Sequence, residues 1–432
     1  HTPTPCPAGH VGPDRIYITW TRFFDEQEIM MSFSDDRARS WSMARVINGS
    51  APFCVGGARG CSNNQGSQPV VQPTNGHLYV TWENFSTPDE NQYLLVSSAD
   101  GGATFAGPFF VTSVFDVNYP TSGANNRPDC QARGQGNGRS VLTNSCARVN
   151  ARGALSVDKR GGAFANDLYL VIADNRNGTR VSSNTDVSFF KSTNGGTTWT
   201  GPTRVNDDPS SSPANRNCGR AGRPPCPTDV NTGNDQWFPW LDISWKGWLH
   251  GTWQDRRLDT TSPIGVGEWP TSKTRVGNYL AWYWGGRCRV TQTGPVDQSS
   301  GRQCVHPDAA IITQPSGPVD PPDNYLDPPQ SEFPFGNFGI SDVPYNWDYC
   351  FRAGIFCGDY ENVVIDTDNN VWAMWTDARN GRSSRTQTGR NPACEQSDAW
   401  ADTYKANQDA HGQEHAKSSD SLFLVTPCPT DD

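Results

Sequence analysis

Long apolar runs are missing from this chain, and so is any stretch of helical periodicity. The first absence excludes a membrane-spanning helix, which needs about 20 consecutive apolar residues. The second excludes a helical bundle. A basic excess is missing as well. The formal net charge is −10, whereas a nucleic-acid partner wants a basic face. Cysteine occurs 13 times but never as Cys-x-x-Cys, so zinc-ribbon and cytosolic redox readings fall away. The seven histidines are scattered. No Ser/His/Asp arrangement and no phosphate-binding glycine loop is present. Lysine is scarce beside arginine. Abundant arginine fits bidentate anion recognition, and it equally fits structural ion pairing.

What is present is turn chemistry and aromatic weight. Glycine (42) and proline (33) accompany 16 tryptophans, while the hydrophobic share is only 34%. Many short strands joined by turns give that profile. The cysteines fall in neighbouring couples, which are expected to form five local disulfides: Cys54/Cys61, Cys130/Cys146, Cys218/Cys226, Cys288/Cys304 and Cys350/Cys357. A Cys6–Cys428 bond would tie the two termini and leave Cys394 as the odd thiol; Cys394–Cys428 is the rival pairing. Such cysteine usage fits an oxidising compartment. A start at His1, without Met or signal peptide, is what a processed, secreted chain would show. Asn48, Asn84 and Asn177 head glycosylation sequons, and Asn-Gly is also a turn signal.

The most informative string is Ser98–Phe105, SADGGATF. Two variants occur, Ser34–Trp41 (SDDRARSW) and Ser192–Trp199 (STNGGTTW). All fit Ser-x-Asp-x-Gly-x-Thr-aromatic, with Ala38, Ser40 and Asn194 as departures. Each follows a β-rich run, so the repeat means an array of small sheets. In each box the Asp or Asn (Asp36, Asp100, Asn194) is expected to cap its own turn through backbone N–H groups. Glycine supplies a positive φ, and the aromatic (Trp41, Phe105, Trp199) wedges between strands. On these residues the chain resembles the Asp-box, or bacterial neuraminidase repeat, family of sialidase-like β-propellers. The resemblance covers roughly residues 15–425.

A second repeat runs beside the boxes. Short strands end in Trp or an equivalent and are followed by a polar cluster: Arg15–Arg22, His77–Asn84, Asp167–Arg176, Trp248–Arg257 and Val371–Arg379. Turn signals precede four of them. Ahead of each turn lies another short strand, Gln68–Gln72, Ala154–Asp158, Leu241–Trp245 and Asn362–Asp366. The unit reads strand, tight turn, strand, loop, strand, box turn, strand, which is a four-stranded propeller blade. The expectation is an all-β chain in which residues 1–432 form one propeller domain. Six blades are expected, with five or seven as the alternatives. A degenerate sixth would lie around Asn278–Val290 or in the gap that follows, and Ser421–Thr426 (SLFLVT) would complete a blade with N-terminal chain. Stretches near 118–150 and 291–348 are rich in Pro, Gly, Asn and Asp and lack strand periodicity, so they read as stapled loop insertions.

Strand direction puts the loops after the Trp-ending strands and the entries into the inner strands on one face. The resemblance implies that this face holds the site. It gathers Arg22, Glu83, Asp174, Arg176, Asp255, Arg256, Arg257, Asp377 and Arg379, joined by Asp235, Trp237, Phe238 and Trp240 and by Asp359, Tyr360 and Glu361. The candidate catalytic residues are Asp235, Asp255 and Tyr360. Arg22, Arg176, Arg256, Arg379, Trp237 and Trp240 are the candidate substrate contacts. Arginines could grip a carboxylate, a carboxylic acid could protonate a glycosidic oxygen, and aromatics could stack on sugar rings. Against this, Asp-x-Arg recurs in three blades (Asp174/Arg176, Asp255/Arg257, Asp377/Arg379), and recurrence favours a loop lock over a catalytic part. The Arg-Ile-Pro stretch of sialidases is absent; Arg15-Ile16-Tyr17 is the nearest string.

Two functions therefore stand side by side. One is an exo-acting glycoside hydrolase of extracellular glycans, acidic ones included. The other is a non-catalytic glycan-binding or structural protein of the cell surface or an extracellular assembly, with self-assembly open. No cofactor is required. Structural calcium is an option at Asp366–Asn370, where oxygen ligands alternate, or at Asn206–Asp208 or Asp323–Asp327.

Overall fold

The computed structural model describes residues 15–23, 26–54, 61–85, 91–115, 142, 149, 151–178, 183–206, 235–257, 280–292, 302–305, 335–341, 344–347, 357–358, 361–379, 385–386, 389–390 and 398–406. They form five antiparallel sheets in chain order. The first holds β1 (Ile16–Arg22), β2 (Glu28–Ser34) and β3 (Arg45–Val46). The second is the meander β4 (Asn64–Val71), β5 (Leu78–Asn84), β6 (Asn91–Ser98), β7 (Ala106–Val114). The third is β8 (Gly153–Val157), β9 (Leu168–Asp174), β10 (Asp186–Ser192), β11 (Thr200–Arg204). The fourth begins β12 (Gln236–Ile243), β13 (Trp248–Asp255), β14 (Leu280–Gln292). Along the outer edge of β14 lie three short strands, β15 (Arg302–Val305), β16 (Gly336–Gly339) and β17 (Tyr345–Asn346). The fifth holds β18 (Asn362–Ile365) and β19 (Asn370–Asp377); a two-stranded hairpin of β20 (Arg385–Thr386) and β21 (Gly389–Arg390) precedes its last strand, β22 (Asp398–Lys405).

The leading strands pack against one another in series: β1 on β4, β4 on β8, β8 on β12 and β12 on β18. Sheets that meet face to face through their inner strands are arranged as propeller blades are. The only helix among the described residues is one 3-10 turn, Gly162–Phe164. Every residue of β5 and β9 is buried, so these strands carry near-continuous apolar runs rather than clean alternation. Four clusters of buried side chains fill the seams between successive sheets.

Local chemistry places the turns. Between β4 and β5 the Asn75 side chain accepts from the His77 amide, and Gly76 takes φ 72°. Between β12 and β13 Ser244 Oγ accepts from the amides of Lys246 and Trp248. Gly247 (φ 82°) completes that turn, and a Cβ there would lie 2.4 Å from the Arg160 guanidinium.

The three boxes link β2 to β3, β6 to β7 and β10 to β11, and they share one set of hydrogen bonds. The first serine hydroxyl donates to the Asp or Asn side chain (Ser34–Asp36 2.8 Å, Ser98–Asp100 2.7 Å, Ser192–Asn194 2.9 Å). The same oxygen accepts from the amides of Ala38, Gly102 and Gly196. The Asp or Asn oxygen then accepts from the amides of Ser40, Thr104 and Thr198. Bonds from the Ser40 hydroxyl and amide, and then from Ser34, hold the Asp36 carboxyl at about 2. In the third box the polarity of one bond reverses, and Asn194 Nδ2 donates to the Thr198 hydroxyl. Gly101/Gly102 and Gly195/Gly196 all take positive φ, while the first box imposes it on Arg37 (61°) and Ala38 (65°). A Cβ on Gly196 would lie 2.7 Å from Leu95 of the sheet before. Each later box thus wedges against its neighbour sheet, and Phe105 and Trp199 pack there. Trp41 does not: it is 44% exposed, because no sheet precedes its own among the described residues.

The expected inner and Trp-ending strands are all present, the inner ones starting up to five residues earlier. Other expectations need correcting. Asn278–Val290 is no separate blade, since β14 is the third strand of sheet 4, paired with β13 from Trp248↔Arg289 to Asp255↔Trp282. The 291–348 insertion is not wholly irregular, since β15, β16 and β17 come from it. Five sheets are described, and Ser421–Thr426 lies outside the described residues. Cys54–Cys61 is bonded as expected. Cys288 and Cys357 also lie in disulfides, but the side chains of Cys304 and Cys350 are not among those described. Cys6, Cys130, Cys146, Cys218, Cys226, Cys394 and Cys428 fall outside as well.

Candidate functional site

At the ends of β13 and β19 the same clamp is built twice. Asp255 accepts from the Trp253 indole (2.8 Å), the Arg257 amide (2.7 Å) and Arg257 Nε (2.9 Å). Asp377 accepts from the Trp375 indole (3.3 Å), the Arg379 amide (2.7 Å) and Arg379 Nε (2.8 Å). Trp253 pairs in register with Trp284, and Trp375 with Trp400. Each guanidinium lies over the partner indole, Arg257 at 4.1 Å and Arg379 at 3.9 Å. At the end of β9 a simpler version joins Asp174 to Arg176 (Nε 2.7 Å) and to the Phe115 amide. A fourth Asp-x-Arg unit, Asp158/Arg160, sits at the opposite end, after β8, with Arg160 over Phe164 at 3.7 Å. All four carboxylates are buried. Burial pushes the Asp377 carboxyl up, and Arg379 pulls it back. Charge-assisted forks of this kind are strong and direction-specific. They hold the first residues of each loop to the strand that launches it. Arg176, Arg257 and Arg379 are engaged by their own aspartates, and Asp255 is committed to its clamp.

The other candidates separate. Asp235, just before β12, accepts from Ser183 Oγ (2.8 Å) and from the Thr185 amide (3.1 Å) and hydroxyl (3.3 Å). Arg256 stands 3.9 Å away, and both residues are buried. Trp237 is buried edge-on against Trp347, ring centroids 5.2 Å apart. Trp240 packs against the cores on both sides of sheet 4. Arg22 is partly exposed and pairs with Glu28. Tyr360 lies outside the described residues. Between Trp237 and Trp240 the ladder to β13 shifts register, and Phe238 takes φ 52°. The matching shift in β4 uses Gly66 (φ 69°). A bulky residue with positive φ is strained, and this one sits at the mouth of the fourth inner strand.

One cluster stands apart from the clamps. Glu361, which enters β18, is 3% exposed. One carboxyl oxygen accepts from Gln254 Nε2 on β13, and the other has no hydrogen-bond partner. Gln254 Oε1 accepts from the Tyr345 hydroxyl on β17. Gln254 also donates to the Thr376 carbonyl at 3.2 Å. Behind it the Tyr283 hydroxyl donates to Thr252 (2.7 Å), and the Tyr283 ring stacks on Trp375 at 4.9 Å. Gln254 is the register partner of Trp237. Burial drives the Glu361 carboxyl well above the usual carboxylate range, and the nearby Asp377 charge adds to this. Burial raises the Tyr345 and Tyr283 hydroxyls too. A carboxyl kept neutral in an apolar seam carries a proton it can give up. Glu361 was legible as a member of the inner-strand entry. Gln254 and Tyr345 carried no sequence signal, because their neighbourhood joins three elements far apart in the chain.

The remaining polar signals resolve into turn chemistry. Asp366 accepts from the amides of Asp368 and Asn370, from Asn370 Nδ2 and from the Trp372 indole. The Lys405 ammonium bonds Asn370 Oδ1 at 2.6 Å and the Asp368 carbonyl, so a cation already stands at this turn. Asn206 braces Asp186 and Gln236, while 207–208 and 323–327 are outside the described residues. No group of three or more His, Cys, Asp or Glu with metal-site geometry occurs among the described residues. Asn48, Asn84 and Asn177 are buried and hydrogen-bonded within the fold, which suits turn and core duty.

No family model matches the chain, and no curated protein matches it. Among solved structures it is similar to an α-L-arabinofuranosidase of Fusarium graminearum, at 13% identity and TM-score 0.38, over 82% of this chain and 66% of that one. It is similar to a Dyadobacter fermentans protein of unknown function, at 11% identity and TM-score 0.41, over 93% and 75%. It is also similar to a leech intramolecular trans-sialidase, at 14% identity and TM-score 0.35, over 88% and 36%. Likeness this loose says nothing of substrate or mechanism.

Proposed function

We propose that the chain is an extracellular glycan-processing propeller, an exo-acting glycoside hydrolase whose proton donor is Glu361. The observation that carries this reading is the under-satisfied, neutral carboxyl of Glu361 at the mouth of an inner strand, beside Gln254, Tyr345 and the Trp237/Trp347 pair. Glycoside hydrolysis uses two carboxyl groups, one giving a proton to the leaving oxygen and one acting on the anomeric carbon or on water. Asp235, at the equivalent entry to sheet 4, is the second. No cofactor enters that chemistry. Because Arg176, Arg257 and Arg379 are held by their own aspartates, the substrate is proposed to be recognised through hydroxyl groups and ring faces rather than through a carboxylate.

The test is sugar release, read by mass spectrometry, from a pool of neutral and acidic glycans. Release of one terminal neutral sugar by wild type, with Glu361→Gln slowed about 10²- to 10⁴-fold while still folded, is the expected result. A specific observation favours a second reading. The clamp recurs from sheet to sheet, as parts of a frame do, and a frame serves a non-catalytic glycan-binding or cell-surface structural protein equally well. Absence of release by a folded protein that still binds glycan would carry the argument to that reading.

A further inference from the structure

Gln254 is buried on β13 and held on three sides. Its amide nitrogen donates to the Thr376 carbonyl (3.2 Å) on β19 and to Glu361 Oε1. Its amide oxygen accepts from the Tyr345 hydroxyl on β17. A primary amide turned over in place exchanges its NH2 and its oxygen, and here that exchange is unfavourable. The oxygen would face the Thr376 carbonyl, acceptor against acceptor, and the Tyr345 proton would lose its acceptor. That hydroxyl stays protonated, because burial raises it well above its usual range and the charges of Asp377 and Glu361 add to this. Gln254 is therefore fixed as a donor toward Glu361. The repeat sets this position apart as well. Between the Trp or its equivalent and the Asp or Asn, successive sheets carry Glu83, Ala173, Gln254 and Thr376, so the flanking residues recur while this one changes.

We propose that Gln254 is a positioning residue for the acid: locked by Tyr345 and Thr376, it holds Glu361 Oε1 as the accepting oxygen and leaves the proton on Oε2. The proposal rests on Glu361 being the proton donor. In a carboxylic acid the carbonyl oxygen is the stronger acceptor, so a donor fixed against one oxygen puts the proton on the other. Gln254 is not what makes Glu361 hold its proton. Burial does that and Asp377 adds to it, while the Gln254 bond and the Thr376 amide favour the ionised form. That opposition has a use in the reaction. When the proton passes from Oε2 to the leaving oxygen, the electron pair of the broken C–O bond stays on that oxygen, and the anomeric carbon turns to Asp235 or to water. The negative charge left on Glu361 then meets an amide already aimed at it, and a hydrogen bond to a charged acceptor is the stronger kind.

The test reads Glu361 first and turnover second. In ¹³C NMR of glutamate-labelled protein, Gln254→Met keeps the shape and removes the donor, so the pH at which Glu361 titrates should rise by about one pH unit. Tyr345→Phe should move it the same way by less, because Thr376 still holds the amide. With a sugar as leaving group, Gln254→Met should lower kcat about 10²-fold and leave KM nearly unchanged. With a nitrophenyl glycoside, whose leaving group departs without a proton, most of that loss should disappear. An unmoved Glu361 titration in folded Gln254→Met would overturn the proposal, and so would an equal loss of kcat on both leaving groups. If Gln254→Met does not fold, Tyr345→Phe decides, and an unmoved titration there overturns it as well. A folded wild type that releases no sugar while the titration shifts as stated would overturn the proton-donor reading instead, leaving Gln254 as a brace for a buried acid.

Discussion

Asp377 and Glu361 lie at similar depth in the same seam, yet their surroundings differ in kind. Asp377 has a guanidinium, two further donors and an aromatic lid, and the arrangement repeats at Asp255. Glu361 accepts from the Gln254 side-chain amide and has no arginine among its described hydrogen-bond partners. A repeated, fully satisfied carboxylate is what a frame needs. An under-satisfied one costs stability and is a candidate for chemistry. Buried charge by itself therefore does not mark a site here.

The sharpest way to break the comparison is to empty a clamp. Arg379→Ala leaves Asp377 buried without its counter-ion, and Arg257→Ala does the same to Asp255. Each should cost about 3–5 kcal/mol, read from the midpoint of urea unfolding. Glu361→Gln should do the opposite. Burial raises its wild-type carboxyl well above the 4.5 of the unfolded chain, so its contribution to stability falls as pH rises. The glutamine variant should match or exceed wild type in melting temperature at pH 8 and lose ground to it at pH 4.

A smaller effect tests burial of a different group. His250 is fully buried, with Nε2 2.6 Å from the Ala406 carbonyl. Burial holds its imidazole at about 3, opposed in part by that carbonyl and aided by Arg287. The unfolded chain takes up a proton there below about 6.5, so stability should decline as pH falls from 6.5 toward 3, at roughly 1.4 kcal/mol per unit. His250→Gln should flatten that slope in melts at pH 7, 5.5 and 4. The smallest effect belongs to the boxes. Asp100→Ala should lower the melting temperature by less than either clamp variant, and acid should mimic it, since bonds from Thr104 and Ser98 hold this carboxyl below its usual range.

Much of the fold could be read in the chain because its signals are local. The inner strands announce themselves through Asn75-Gly76, Lys246-Gly247 and Asp366–Asn370, and the box turns through eight adjacent residues. The Asp-x-Arg recurrence, likewise local, pointed to clamps. What stayed hidden was long-range. β16 and β17 are four and two residues long, too short for periodicity, and they are strands only because β14 offers an edge. The strain at Phe238 looks from sequence like an ordinary aromatic run. The burial that raises the Glu361 carboxyl comes from elements far apart in the chain, and its amide donor Gln254 is more than a hundred residues away.

The central claim is a difference in protonation between neighbouring carboxyls, and ¹³C NMR of selectively labelled glutamate reports it most directly. The Glu361 carboxyl should give the chemical shift of the protonated acid at pH 7 and titrate well above the usual carboxylate range. A Glu361 resonance that is ionised at pH 7 and titrates near 4.5 would contradict the account, because no proton would then be held there for transfer.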